Sequence, residues 1–156
     1  MQILLDTNIL LRLAETGHPH FSQTSAAVET LTQRRHELLI VPQVLCEFWV
    51  VATRPVESNG LGMSPAEARR ELDAFKSLFR LLRDERRVFA VWEQLVTTLD
   101  VKGKQAHDAR LVAAMTRFSI PHLLTHKYRD FLRYLSITAH SPADVLNGSF
   151  PVEESL

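Results

Sequence analysis

The chain has 156 residues, of which 46% are hydrophobic and 23% charged, with 18 basic and 18 acidic side chains and a pI near 7.1. That is the size and balance of one globular domain with a single real core. No apolar run is long enough to cross a membrane, and Asp6 and Asn8 interrupt any signal-peptide pattern at the start. One cysteine, Cys46, excludes an internal disulfide and fits a reducing cytoplasm. Zero net charge excludes a broadly cationic nucleic-acid binder. The arginines at 34–35, 69–70 and 80–87 read as solvated helix faces, although a local patch of them can still meet phosphates.

Strand-like apolar runs alternate with helical patterns, which predicts a mostly parallel sheet covered on both faces. The first strand is Gln2–Leu5, followed by a helix over Thr7–Ala14. A second helix starts near Ser22, read as its cap, and ends about Arg35. Leu38–Val41 is the second strand. Pro42 suits the first turn of the next helix, which carries Glu47 and stops before Pro55. Val56–Met63, with Gly60 and Gly62, is a loop. Ser64-Pro65-Ala66-Glu67 has the signature of a capped helix start, and that helix runs to about Ser77. Phe79–Leu82 is a third strand. Val88–Leu99 and Gln105–Arg117 are helices on either side of a loop at Gly103. Pro121–Thr125 and Ser136–Ala139 complete the sheet. Residues 1–145 form one domain, and residues 146–156 read as a polar, mobile tail.

Acidic residues stand where such a fold gathers its chemistry. Asp6 ends the first strand, Glu47 lies one turn into the helix after the second, Asp108 near the start of the 105–117 helix, and Asp130 beyond the fourth strand. Residues just past the carboxyl ends of parallel strands converge on one crevice. Carboxylates gathered there repel one another and call for a cation, and oxygen-only ligands favour Mg²⁺ or Mn²⁺. Each residue also has a plainer reading. Asp6 can be a helix cap, Glu47 can pair with Arg54 on a wet face, and Asp108 can complement a helix dipole. Asp130 can be a ligand, an anchor or a cap. Asn8 reads as a positioning residue for the carboxylates, and Thr125 as a hydroxyl reaching the crevice. His107 reads as pointing sideways, His18 and His20 as surface residues, and Cys46 as a small core residue.

Taken together, Leu4-Leu5-Asp6-Thr7-Asn8, Glu47, His107-Asp108-Ala109 and Leu124 to Phe131 resemble the PIN-domain ribonucleases, and among them the VapC toxins of toxin–antitoxin pairs. The resemblance covers nearly the whole chain. It implies a three-layer α/β/α sandwich around a mostly parallel sheet, and Mg²⁺- or Mn²⁺-dependent cleavage of RNA. It further implies a homodimer and a VapB-like antitoxin partner. On that reading Asp6 and Asp108 hold the principal ion with Glu47, and Asp130 matches the Asp of the family's terminal Asp-Phe pair. Lys127 departs from the pattern: it stands two residues after Thr125, where the family has Asn or Asp. The alternatives are a weakly active or inactive PIN-fold interaction module, and an aspartate-based phosphatase or phosphotransfer domain. The latter usually wants a second acid at position 8, which is Asn. Trp49 and Phe75, on the helices at 42–54 and 64–77, are the expected dimer contacts.

Overall fold

The computed structural model describes residues 1–151. Five strands form one all-parallel sheet: β1 (Gln2–Leu5), β2 (Glu37–Ile40), β3 (Arg80–Leu81), β4 (His122–Leu124) and β5 (Thr138–His140), in the spatial order β3-β2-β1-β4-β5. Seven helices connect and flank them: α1 (Thr7–Ala14), α2 (Phe21–Gln33), α3 (Pro42–Thr53), α4 (Pro65–Leu78), α5 (Arg87–Thr98), α6 (Gln105–Phe118) and α7 (Pro142–Leu146). Ile3, Leu4 and Leu5 are consecutive and fully buried. Neighbouring strand residues point to opposite faces, so both faces of the sheet are covered. The expected α/β fold with a parallel central sheet is the observed one.

The order of the strands makes a site. From β1 the chain steps outward to β2 and β3, then returns to the other side of β1 to lay down β4 and β5. The switch between the two directions falls between β1 and β4, and the crevice beyond their carboxyl ends is where parallel sheets bind ligands. Asp6 and Thr125 stand at those two ends.

Several helix boundaries follow the local chemistry. Pro42 occupies the first turn of α3. At α4, Ser64 Oγ accepts from Glu67 N at 3.2 Å and Glu67 Oε2 accepts from Ser64 N at 2.7 Å, a full capping box. The loop after α3 turns back over its end: Leu61 N donates to Val51 O, Gly62 N to Arg54 O and Met63 N to Ala52 O. A Cβ at Gly60 would fall 1.9 Å from the Arg54 carbonyl oxygen, so this return admits no side chain.

Other expectations change. α2 begins at Phe21 with His20 at the cap and without a side-chain cap bond, so Ser22 lies inside the helix. Phe75 is 3% exposed and packs edge-on to Phe48 at 5.0 Å, which makes it a core residue and removes it as a dimer contact. Cys46 is exposed instead of buried, because Val44, Leu45, Phe48 and Ala52 form the inward face of α3. Residues 142–146 form α7, with Ser141 as its cap. Within the segment read as a tail, Phe150 is 1% exposed, seated against His36, His122 and His140. Packed structure therefore continues past residue 145, while residues 152–156 lie outside the described residues.

Candidate active site

Asp6 is the anchor of the crevice. It caps α1 and is 7% exposed. Its Oδ1 accepts from Thr7 N at 2.7 Å, and its Oδ2 accepts from Asn8 Nδ2 at 2.9 Å and Thr125 Oγ1 at 2.7 Å. Asn8 ties the second half of the switch point to the first: Nδ2 also donates to Thr125 Oγ1 at 3.0 Å, and Oδ1 accepts from His126 N at 2.9 Å. Thr125 is fully buried and also accepts from Lys127 N at 3.0 Å. The cap reading of Asp6 is therefore the observed one, and it does not remove the carboxylate from the crevice. The same carboxylate caps a helix and faces a cavity.

Glu47 arrives from α3. Its Oε2 accepts from Thr7 Oγ1 at 2.7 Å and its Oε1 from Gln43 Nε2 at 2.9 Å. Gln43 then reaches α6, donating to His107 O at 2.8 Å, while Arg110 donates to Gln43 Oε1 at 3.1 Å. Gln43 therefore fixes the helix carrying Glu47 to the turn carrying Asp108. It escaped the sequence reading because its role depends on two helices meeting, and a glutamine in the first turn of a helix carries no signal of that.

A cavity of about 310 Å³ is lined by Asp6, Thr7, Asn8, Glu47, Asp108 and Lys127, with Leu11, Val50, Val51 and Arg54 on its wall. Three of the four acidic residues meet there. Asp130 does not line it. It is exposed on a 3-10 turn over Tyr128–Phe131 and lies in the adjacent hollow beside His126 and Lys127. Arg54 lines the cavity with Glu47, whose side-chain hydrogen bonds run to Thr7 and Gln43. His107 faces away, into a hollow with Phe89 and Trp92. His18 and His20 do more than lie on the surface: the His20 ring packs on His18 at 5.4 Å and on His126 at 5.3 Å.

The electrostatics record the crowding of negative charge. Burial pushes the Asp6 carboxyl up to about 6; bonds from Thr125 and Thr7 oppose this, and the charges of Asp108 and Glu47 add to it. The Asp108 carboxyl is also raised, first by burial and then by Asp130 and Glu47, against the opposing charges of Lys127 and His107. Among the described residues no three acidic, histidine or cysteine side chains close into a ready-made metal cage. The donor set nonetheless suits a hard cation: all oxygen, mutually repelling, and with a lone pair left on Asp6 Oδ1, which takes one hydrogen bond. Mg²⁺ binds through one or two carboxylates and keeps several waters, so an open cavity of this size fits it better than a closed cage.

The family model described as PIN domain matches residues 3–134. The chain belongs to the PIN domain family. Solved structures with the same fold include VapBC2 from Rickettsia felis bound to a promoter DNA fragment, at 17% identity and TM-score 0.70, over 90% of this chain and 98% of that one. VapBC-1 from nontypeable Haemophilus influenzae matches at 14% identity and TM-score 0.68, over 92% and 99%. VapC20 of Mycobacterium tuberculosis, a sarcin-ricin loop cleaving toxin, matches at 17% identity and TM-score 0.58, over 78% and 86%. No curated protein matches the chain. In this PIN domain Asp6, Glu47 and Asp108 line one crevice together with Lys127.

Proposed function

We propose that this PIN domain is a Mg²⁺- or Mn²⁺-dependent endoribonuclease, the VapC-type toxin of a toxin–antitoxin pair, working in the cytoplasm with a VapB-like antitoxin as its partner. One observation carries the chemistry: Asp6, Glu47 and Asp108, from three separate elements, line one cavity at the topological switch point. The VapBC and VapC neighbours support the toxin and antitoxin assignment. Among the described residues no helix is long and apolar enough to cross a membrane.

A divalent ion at such a site supplies Lewis acidity toward the scissile phosphate and a water of lowered pKa. The protein's own residues supply the rest. Asp6 is held rigid by Thr7, Asn8 and Thr125, so its free lone pair has a fixed direction. Glu47 is held from both sides by Thr7 and Gln43. Lys127 and Arg54 bring positive charge to the cavity beside its three carboxylates, suited to an entering phosphodiester. Single-stranded or looped RNA fits, since its flexible backbone can present a phosphate to a small pocket. The outward side of α3, with Cys46 and Trp49 beside Leu72 of α4, is an open apolar surface suited to a homodimer.

The test is cleavage of end-labelled RNA by the pure protein. Mg²⁺ or Mn²⁺ should permit it, EDTA should stop it, and Asp6→Asn and Asp108→Asn should abolish it while remaining folded. Cleavage that survives EDTA, or full activity in either variant, contradicts the proposal.

A further inference from the structure

A second hollow lies on the other side of α6 from the carboxylates. It is lined by Phe89, Trp92, Ala106, His107 and Arg110 and encloses about 300 Å³. Its chemistry differs sharply from that of the acidic cavity. Phe89 is 62% exposed, an unusual place for a phenylalanine, and its ring lies 5.5 Å from that of Trp92. Trp92 is fixed in turn, donating from Nε1 to Ala106 O at 2.8 Å. The aromatic wall is therefore rigid on the Trp92 side and open to solvent on the Phe89 side. A cation borders it. Arg110 is one of its lining residues, bonded to Gln43 and 3.8 Å from the exposed Asp84.

The hollow is coupled to the acidic cavity. His107 and Arg110 are one turn apart on α6, and Asp108, next to His107, lines the acidic cavity. Gln43 joins the two sides, because it bonds to Glu47 in one and to His107 O and Arg110 at the edge of the other.

We propose that this hollow is a nucleobase subsite, which takes an unstacked base of single-stranded RNA adjacent to the scissile phosphate. The base stacks on Phe89 and Trp92, and Arg110 meets the flanking phosphate. Aromatic faces joined to cations are what single-stranded nucleic acid offers its π-faces and phosphates to. The subsite deepens the endoribonuclease reading and rests on it for the identity of the strand. It does not depend on metal, so it can be tested where no cleavage occurs.

The experiment measures binding of a fluorescein-labelled single-stranded RNA of about 12 nucleotides to the full chain in EDTA, by fluorescence anisotropy. Phe89→Ala removes an exposed ring and leaves the core intact; it should weaken binding about tenfold or more. Phe89→Trp should bind like the native protein. A fully abasic strand of the same length should bind the native protein and Phe89→Ala equally, because no base is present to stack. Native affinity in Phe89→Ala, or the same loss on the abasic strand, overturns the subsite, and a hollow that instead captures a peptide partner would give the first of these. The two readings separate cleanly. RNA cleavage in Mn²⁺ together with unchanged Phe89→Ala binding refutes the subsite alone. Absence of cleavage together with the predicted binding pattern refutes the nuclease reading alone.

Discussion

Replacing Asp6 by Asn should make the metal-free protein more stable, although it removes the central residue of the site. The Asp6 carboxyl titrates at about 6 where the ordinary value is 3.8, chiefly because it is buried. At about 1.4 kcal/mol per pKa unit, keeping it ionised at neutral pH costs the fold about 3 kcal/mol. The folded state binds the proton more tightly than the unfolded state, so this cost is absent below pH 3.8 and fully present above about pH 6. An asparagine carries no such cost. It does lose acceptor capacity, since Asp6 receives three hydrogen bonds, from Thr7 N, Asn8 Nδ2 and Thr125 Oγ1, and an amide has one oxygen. That loss returns about 1–2 kcal/mol. The net gain of about 1–2 kcal/mol corresponds to a Tm higher by about 3–6 °C for a chain of this size. Thermal melts by circular dichroism in EDTA test it, near neutral pH and again at about pH 4, where the difference should shrink and change sign. Adding Mn²⁺ should raise the Tm of the native protein and leave that of the variant unchanged. A variant less stable than the native protein at neutral pH in EDTA would refute the reasoning. So would a difference that does not change with pH.

Gln43→Ala should weaken Mn²⁺ binding about tenfold, because it frees Glu47 and unties α3 from the turn bearing Asp108; calorimetry checks this, and unchanged affinity would make Gln43 a bystander. Lys127→Asn should strengthen Mn²⁺ binding, since the ammonium favours the ionised Asp108 carboxyl but repels a divalent ion in the same cavity. Lys127→Ala should in turn weaken RNA binding in EDTA, and no change in either variant would place the lysine outside the site. Burial lowers the His140 imidazole to about 4 from 6.5. The unfolded chain therefore binds its proton first, and stability should fall as pH drops from 6.5 toward 4. Melts in the Asp6→Asn background remove the opposing slope of that carboxyl, and His140→Asn should reduce what remains, with His126, which burial also lowers to about 4, contributing to the rest.

The parts of this protein that follow local rules were legible from its residues. A strand ending in Asp6, a helix opened by Pro42 and a capping box at Ser64 each need only a few neighbours to be recognised. Asp6, Glu47 and Asp108 were legible as a group because parallel topology sends the residues after strand ends to one crevice. What was hidden depends on tertiary contact. Asp130 follows the fourth strand just as a site residue should, yet the 3-10 turn at 128–131 carries it into the next hollow. Cys46 stands in a helix apolar on nearly every side, so composition alone could not tell its inward face from its outward one. Phe150 sits among polar residues and is buried only because three histidines from distant segments form its seat. Phe75 was misjudged for the same lack of long-range information: it fills the core.

The proposed chemistry requires three carboxylates to act together as one divalent-cation site. Isothermal titration of Mn²⁺ into the metal-free native protein and into Asp108→Asn tests this most directly, because it reads binding without requiring a substrate. The native protein should hold one ion tightly and the variant should lose that binding, with its fold intact by circular dichroism. Undiminished binding in Asp108→Asn, or no binding to the native protein, would contradict it.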